Sequence, residues 1–243
     1  MDNLAMQRAI LNNYYLKSGY RSREQPEYCL DLVENDIWQP QVYVLARYLG
    51  AILNGNYVID IGCGMAFKLS KMYPDFQIIG IDYGTNIQLC REMYPNGTWI
   101  EHDLDSPQRL PIEESILKNS IIICADVIEH LVNPAFLLGN LKEMMELSAA
   151  CLLSTPERDI ERGFNHLGPP PNRSHVREWN LHELTQLFRS LHFNVTYRDL
   201  TVSDNVSNNK NTSLLVLGNN DLSDYRSKLL DSPEVSAQIE RII

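Results

Sequence analysis

Between residues 57 and 217, short apolar runs rich in β-branched side chains alternate with segments of helical periodicity. The apolar runs predict seven strands, at 57–61, 76–81, 98–101, 120–125, 149–154, 193–200 and 213–217. The segments between them predict helices that include 67–72, 86–93, 135–147 and 181–191. Continuous apolar strands alternating with amphipathic helices are typical of a mostly parallel sheet covered by helices on both faces. The pattern predicts the α/β fold class.

The last two predicted strands are joined by residues 201–212, which are polar and show no helical period. A parallel pair needs a long crossover, usually a helix, whereas an antiparallel pair does not. We therefore expect the final two strands to form an antiparallel hairpin.

Three regions lie outside this alternation. Residues 1–54 have a helical pattern with an aromatic, polar middle, and we expect them to form a helical lid over a crevice. Residues 156–180 are rich in Pro, Gly, Arg and His, which is typical of a functional loop and predicts a substrate loop within a domain of residues 55–220. Residues 221–243 form a polar tail with a predicted helix start at Ser232-Pro233.

The composition narrows the class of partner. Apolar residues make up 44% of the chain, which is enough for a core, and the net charge of −10 disfavours nucleic acid and anionic membranes as partners. The five cysteines form no Cys-x-x-Cys pair, and no basic-then-apolar leader is visible at residue 1. We expect a cytoplasmic protein that acts on a small molecule. A homodimer is left open.

The segment Asp60-Ile61-Gly62-Cys63-Gly64 follows an apolar strand and precedes a helix. Glycines at the carboxyl end of such a strand let the backbone turn sharply and approach a ligand. A dinucleotide fold would need a third glycine where Phe67 stands, and Asp60 would repel a pyrophosphate. The pattern favours a nucleoside without phosphates, although two glycines alone also fit a plain turn.

Two further acids follow later strands. Asp82 ends the second strand, where a carboxylate can accept hydrogen bonds from both ribose hydroxyls. Asp103 follows the third strand and could accept from an adenine amine, although a solvated turn acid fits it equally well. Ribose, adenine, no phosphate and a preference for positive charge together describe S-adenosylmethionine.

In order, Asp60–Gly64, Gly80–Asp82, His102–Leu104 and Asp126–Leu131 resemble the motifs of class I S-adenosylmethionine-dependent methyltransferases. The resemblance covers about residues 55–220 and implies a Rossmann-like, seven-stranded, mostly parallel sheet with an antiparallel final hairpin. By matching position, Asp60, Gly62 and Gly64 would line the methionine part. Asp82 would hold the ribose, and Asp103 with Leu104 the adenine. Within the same motifs, Cys63, Tyr83 and Asp126 complete the expected cofactor-binding set.

A narrower resemblance is to methyltransferases associated with surface-glycan biosynthesis. It rests on Trp38-Gln-Pro40, Lys68-Leu69, Thr155–Asp159, Arg162-Gly163, Gly168–Pro170 and His175–Trp179. It implies that the acceptor is a sugar or a glycan precursor.

Methyl transfer to a hydroxyl needs an oriented acceptor and a base near neutral pKa. His130 and His175 follow the fourth and fifth strands and are the candidate bases, although each could be structural. In the Pro-rich loop, Arg158, Arg162 and Arg177 are candidates to anchor an anionic acceptor, and Trp179 to stack on a sugar ring.

Asp126, Glu129 and His130, together with His175, also offer metal-ligand chemistry, but spacing alone does not establish a site and we predict none. The sequence thus predicts an S-adenosylmethionine-dependent methyltransferase that methylates an oxygen of a sugar or glycan precursor. The alternatives are a methyltransferase of a quinone or natural-product scaffold and a non-catalytic cofactor-binding domain. A third alternative, a nicotinamide-dependent oxidoreductase, is disfavoured because Phe67 stands where its fold needs a glycine.

Overall fold

A computed structural model describes residues 13–27, 38–204, 206–207 and 209–218. Its strands are β1 Tyr57–Ile61, β2 Gln77–Asp82, β3 Thr98–Glu101, β4 Ser120–Ala125, β5 Ala150–Pro156, β6 Val195–Thr201 and β7 Thr212–Gly218. Its α-helices are α1 Pro40–Ile52, α2 Phe67–Ser70, α3 Thr85–Met93, α4 Glu114–Leu117, α5 Pro134–Met144, α6 Arg158–Arg162 and α7 Leu181–Ser190.

The seven strands form one sheet in the order β3-β2-β1-β4-β5-β7-β6. The first five strands are parallel, and β7 pairs antiparallel with both β5 and β6. This confirms the predicted mostly parallel sheet and its antiparallel final hairpin. The strand order reverses between β1 and β4, which is where ligands bind in sheets of this kind.

Helices cover both faces of the sheet because side chains of the central strands alternate between two apolar clusters. Ile59 and Ile61 face the cluster that contains α5 and α7, whereas Val58 faces the cluster that contains α1, α2 and α3. Within the described residues, no helix combines the length and hydropathy that a bilayer span requires.

The N-terminal region, predicted as a helical lid, is described in two stretches. Helix α1 packs on the sheet, with Val42, Ala46 and Leu49 fully buried, because its apolar face matches that of β4 and β5. Residues 13–27 contain one 3-10 turn, and their backbone then hydrogen-bonds to the Pro-rich segment, as Arg21 N does to Leu167 O. Residues 1–12 and 28–37, and the helix predicted from Ser232-Pro233, lie outside the described residues.

A buried ion pair anchors the Pro-rich segment to the domain. The guanidinium of Arg158 is fully buried and donates to both carboxylate oxygens of Glu183, at 2.6 and 2.9 Å. Glu183 in turn closes a capping box at the start of α7 with Asn180. The fixed position of the segment therefore depends on a charge pair that water does not reach.

We predict that Glu183→Ala lowers the free energy of unfolding by about 3 kcal/mol, because the buried Arg158 loses its bidentate partner and keeps only Asp159, and α7 loses its capping box. Equilibrium unfolding in urea measures this difference. The matched control is Glu143→Ala, which removes an exposed partner of Arg109. It should cost less than about 1 kcal/mol. Equal losses in the two variants would contradict the assignment.

Candidate functional site

A cleft of about 550 Å³ opens at the carboxyl ends of β1, β4 and β5. Its size is in the range of sites that hold small molecules. The lining combines the β1 turn with the 3-10 turn after β4 and with the Pro-rich segment. It includes Trp38, Gln39, Tyr43, Gly62, Cys63, Gly64, Phe67, Lys68, Asp126, Glu129, His130, Arg162, Asn172, Ser174, His175 and Thr212.

The turn after β1 is open because two glycines form it. Gly62 and Gly64 both have positive φ, at 76° and 52°, a region that residues with a Cβ rarely adopt. A Cβ at Gly62 would also collide with the side chain of Val127. Only glycine fits this turn, which leaves a backbone surface facing the cleft.

Asp82 fastens the glycine turn from the neighbouring strand. Its Oδ2 accepts from Gly64 N at 2.8 Å, and its Oδ1 accepts from Tyr83 N at 2.7 Å. Asp103 and Leu104 follow β3, beside the end of β2, since His102 N donates to Asp82 O. Asp82, Tyr83, Asp103 and Leu104 therefore lie at adjoining strand ends, outside the residues that line the deep cleft.

Asp60 lies under the glycine turn and is fully buried. Its Oδ2 accepts from the Tyr43 hydroxyl at 2.7 Å, whereas Oδ1 has no hydrogen-bond partner among the described residues. Burial raises the pKa of the Asp60 carboxyl to about 7, although the Tyr43 hydrogen bond and the Lys68 charge oppose the rise. A nearby cation strongly stabilises the ionised form of a buried carboxyl whose pKa is raised.

Asp126 follows β4 in a left-handed conformation, with φ 55°. Its Oδ2 accepts from Gln39 Nε2 at 2.7 Å, and Gln39 also has a positive φ, 52°. Burial raises the pKa of the Asp126 carboxyl, while the Gln39 hydrogen bond and the charge of His175 lower it. Strained backbone at two facing residues is common where a site orients polar groups. Nothing in the sequence pattern singled out Gln39 for this position.

The two predicted histidines meet in the cleft. Their rings are 4.8 Å apart and almost perpendicular. His130 Nδ1 lies 3.0 Å from Ser174 O and must therefore donate to it, and His175 Nδ1 lies 2.7 Å from Glu178 Oε1. Burial and the neighbouring His175 lower the pKa of His130 to about 4. The fold thus joins residues that are 45 positions apart in the sequence.

Glu129 lies directly beside the histidines and is fully buried. Its Oε2 accepts from the Thr155 hydroxyl at 2.9 Å, whereas Oε1 has no partner among the described residues. Burial and the nearby Asp126 raise the pKa of Glu129 well above its usual range. One ligand atom each from Glu129, His130 and His175 lies within 4.8 Å of the others.

Three of the four residues predicted to bind the acceptor do not line the cleft. Arg158 is buried with Glu183, Arg177 donates to Leu131 O and Val132 O, and Trp179 donates from Nε1 to Tyr14 O. For these three the prediction is corrected, since each side chain is buried and its polar atoms hold backbone or an ion pair. The sequence pattern indicated an exposed loop, but packing and buried polar contacts determine where these three side chains lie.

Arg162 does reach the cleft, but it is not a lone cation. Its guanidinium forms ion pairs with Glu178 at 3.2 Å and with Glu161 at 3.3 Å. Asn172 and Glu178, which hold the two sides of the His175 ring, were not predicted from the sequence. Their roles depend on three-dimensional contacts within the loop, which the spacing of residues in the sequence does not reveal.

The glycine turn and the adjoining strand ends, together with the cleft, fit an adenosine that carries a cationic methionine. The glycine turn lets a ligand approach the protein backbone closely, and the strand end at Asp82 suits a ribose. The unpartnered Oδ1 of Asp60 and the carboxyl of Asp126 suit the positive charges of the ammonium and sulfonium groups. Asp60, Gly62, Gly64 and Asp82 are the residues that would hold it.

Comparisons with known proteins agree with this fold and with a methyltransferase domain. The methyltransferase domain family matches residues 42–198. A protein of Mycolicibacterium smegmatis named as an S-adenosylmethionine-dependent methyltransferase is 27% identical over 68% of this chain and 62% of its own length. The ubiquinone biosynthesis O-methyltransferase of Aliivibrio fischeri is 27% identical over 49% of this chain and 51% of its own length. The chain thus spans about half to two thirds of these relatives.

Among solved structures, the plantazolicin methyltransferase BamL, in complex with a triazolic desmethylPZN analog and SAH, is similar in fold. It has a TM-score of 0.56 and 14% identity, with coverage of 86% of this chain and 78% of that one. At this identity the similarity supports the fold alone. Together with the family match over most of the described domain, the sheet order and the glycine turn, it leads to one conclusion: the chain belongs to the class I S-adenosylmethionine-dependent methyltransferases.

Proposed function

We propose that this protein methylates a hydroxyl oxygen of a small molecule, with a sugar or glycan precursor as the acceptor. The observation that carries the proposal is the edge-to-face ring contact of His130 and His175 in the same cleft as the glycine turn. An oxygen acceptor must lose a proton during transfer, and an imidazole is suited to receive it.

When bound, S-adenosylmethionine supplies a methyl group on a positively charged sulfur. The methyl group would pass to the acceptor oxygen, with the electron pair of the broken carbon–sulfur bond returning to sulfur. The hydroxyl proton would pass to the imidazole of His175, since a pKa of about 4 makes His130 a weak base. Glu178 accepts from His175 Nδ1 at 2.7 Å, which orients the ring and stabilises its charged form. Asp60 and Asp126 hold the cationic end of the cofactor, and the cleft walls align the acceptor.

The charges in the cleft favour an uncharged acceptor. The lining acids include Asp126, Glu129 and Glu161, and the Arg162 guanidinium is paired with Glu178 and Glu161. An acidic sugar or a phosphate would meet Lys68, but among the described residues of the lining it would meet no guanidinium other than the paired Arg162. A neutral polyhydroxylated ring fits better, with Asn172 and Thr212 as hydrogen-bonding side chains and the exposed indole of Trp38 as a stacking surface.

A second candidate acceptor is the phenolic hydroxyl of a quinone precursor. The similarity to an O-methyltransferase of ubiquinone biosynthesis favours it. A flat aromatic ring could also use Trp38 and Phe67, both of which line the cleft. The two candidates differ in whether the cleft selects for many hydroxyls or for an apolar ring.

A panel of acceptors tests the proposal. Release of the demethylated cofactor is measured with neutral sugars, acidic sugars, nucleotide sugars and catechols, and products are identified by mass spectrometry. We expect turnover with neutral sugars to exceed that with the other classes. Preferential turnover of catechols would favour the second candidate, and cofactor binding without turnover of any class would favour a non-catalytic domain.

The ribose position gives a separate prediction. We expect Asp82→Ala to weaken binding of the demethylated cofactor at least about tenfold, the loss expected for a pair of charge-assisted hydrogen bonds. Isothermal titration calorimetry measures the change in Kd. Asp75→Ala is the matched control, because Asp75 precedes the other end of β2 and its side chain is 54% exposed. Unchanged affinity in Asp82→Ala would show that the ribose lies elsewhere.

The buried Asp60 predicts how cofactor affinity depends on pH. Its pKa of about 7 means that the carboxyl is mostly protonated at pH 6 and mostly ionised at pH 8. Affinity for the cationic cofactor should therefore rise about tenfold from pH 6 to pH 8, since only the ionised form attracts the ammonium group. Tyr43, Lys68 and Asp82 are the neighbouring titratable groups.

Calorimetry at both pH values, with wild type and Asp60→Asn, isolates this effect. The variant keeps the volume of the side chain and its contact with Tyr43 but has no charge to titrate. The slope of affinity against pH should be flatter in Asp60→Asn than in wild type. An identical slope in both proteins would contradict the role assigned to Asp60.

A further inference from the structure

Glu129, His130 and His175 form a compact set of potential metal ligands in the cleft. One ligand atom from each lies within 4.8 Å of the others. Three atoms evenly spaced around one ion lie about 3.3–3.6 Å apart, because each bond to a metal such as zinc is about 2.0–2.1 Å long. A decrease of about 1–1.5 Å in their separation would bring all three to one ion.

The hydrogen bonds around the two rings have the arrangement found behind metal-bound histidines. A ligating histidine donates its other ring N–H to a carboxylate or a backbone carbonyl. His130 donates from Nδ1 to Ser174 O, and His175 has Nδ1 2.7 Å from the Glu178 carboxylate. Each contact assigns the proton to Nδ1 and the lone pair to Nε2. The two rings are therefore held in the tautomer that a metal needs.

The third group is a carboxyl that lacks a partner. Glu129 is fully buried, and Oε1 has no hydrogen-bond partner among the described residues, although Oε2 accepts from Thr155. A buried carboxylate without compensation is costly, and such groups in native proteins are paired or coordinate metals. This orphan oxygen is independent of the histidine geometry and points to the same occupant.

We propose that Glu129, His130 and His175 bind a divalent first-row transition-metal ion at the acceptor end of the cleft. Two imidazoles and one carboxylate suit Mn²⁺, Fe²⁺, Co²⁺ or Zn²⁺ and leave coordination positions open for other oxygens. Asn172 Nδ2, which is 3.0 Å from His175 Nε2, would be displaced by the ion.

The inference rests on the proposed function and refines it. An acceptor hydroxyl in an open coordination position would be oriented by the ion and would lose its proton to solvent more readily. The acceptor oxygen would then form its bond to the methyl carbon as before, with the carbon–sulfur electron pair returning to sulfur. His130 and His175 would act as ligands and not as the base.

The first experiment uses the full chain, freed of metal by chelation and dialysis, and Co²⁺ as the probe. We expect one equivalent of Co²⁺ to bind and to produce visible absorption bands. X-ray absorption spectroscopy of the Co²⁺ protein should show two imidazole nitrogens and at least one oxygen. This measurement needs no variant, so it tests the site even if a substitution prevents folding.

Variants then assign the ligands. Glu129→Gln and His175→Ala should each weaken Co²⁺ binding at least about 100-fold, because loss of an outer partner alone costs about 10–100-fold. Glu178→Gln changes the outer partner of His175 together with the ion pair to Arg162, and it should weaken Co²⁺ binding by about 10–100-fold. His182→Ala is the matched control, because His182 lies on α7 outside the cleft lining, and it should bind Co²⁺ like wild type.

Two outcomes would overturn the proposal: no Co²⁺ binding to wild type at millimolar concentration, or equal binding by wild type, Glu129→Gln and His175→Ala. Calorimetry with the demethylated cofactor on the same metal-free samples separates this result from a failure of the proposed function. Cofactor binding without Co²⁺ binding rejects the metal site and leaves the histidines as bases. Loss of cofactor binding in wild type would instead contradict the methyltransferase function.

Discussion

The cleft depends on the cost of burying negative charge. Asp60, Asp126 and Glu129 end or follow neighbouring parallel strands, and burial is the largest cause of the raised pKa of each carboxyl. Two of their oxygens, Asp60 Oδ1 and Glu129 Oε1, have no partner among the described residues. The fold holds these acids in poorly hydrated positions, and such an arrangement is stable only when protons or cations compensate it.

This constraint links the two ends of the cleft. At the glycine turn, Asp60 and Asp126 face the place expected for the ammonium and sulfonium groups of the cofactor. At the acceptor end, Glu129 lies beside two histidines whose Nδ1 atoms are held by Ser174 and Glu178. The same excess of acid disfavours an anionic acceptor. In our proposal, the site thus combines a cationic cofactor, a neutral hydroxyl and a divalent ion.

The Pro-rich segment supplies one wall of the cleft, which we propose is the acceptor side, and buried polar contacts fix its position. Arg158 pairs with Glu183, Arg177 holds the carbonyls that follow the 3-10 turn, and Trp179 bonds to Tyr14 O. These contacts place Asn172, Ser174 and His175 against His130. Arg158, Arg177 and Trp179 resemble ligand-binding residues in the sequence, but they lie behind the cleft and hold the residues that line it.

The sequence by itself determined the strands, their order of appearance and the glycine turn. Periodicity reports local burial, and strands β1, β3 and β4 lie at the predicted residues. Only the tertiary structure decided that α1 packs on the sheet, that Gln39 bonds to Asp126, and that Arg158 and Trp179 are buried. The physical reason is that pairing and burial of a side chain depend on partners far away in sequence, and these leave no spacing signal. For the same reason the sequence placed His130 and His175 near the cleft, but only the fold showed their rings in contact beside an unpartnered carboxyl.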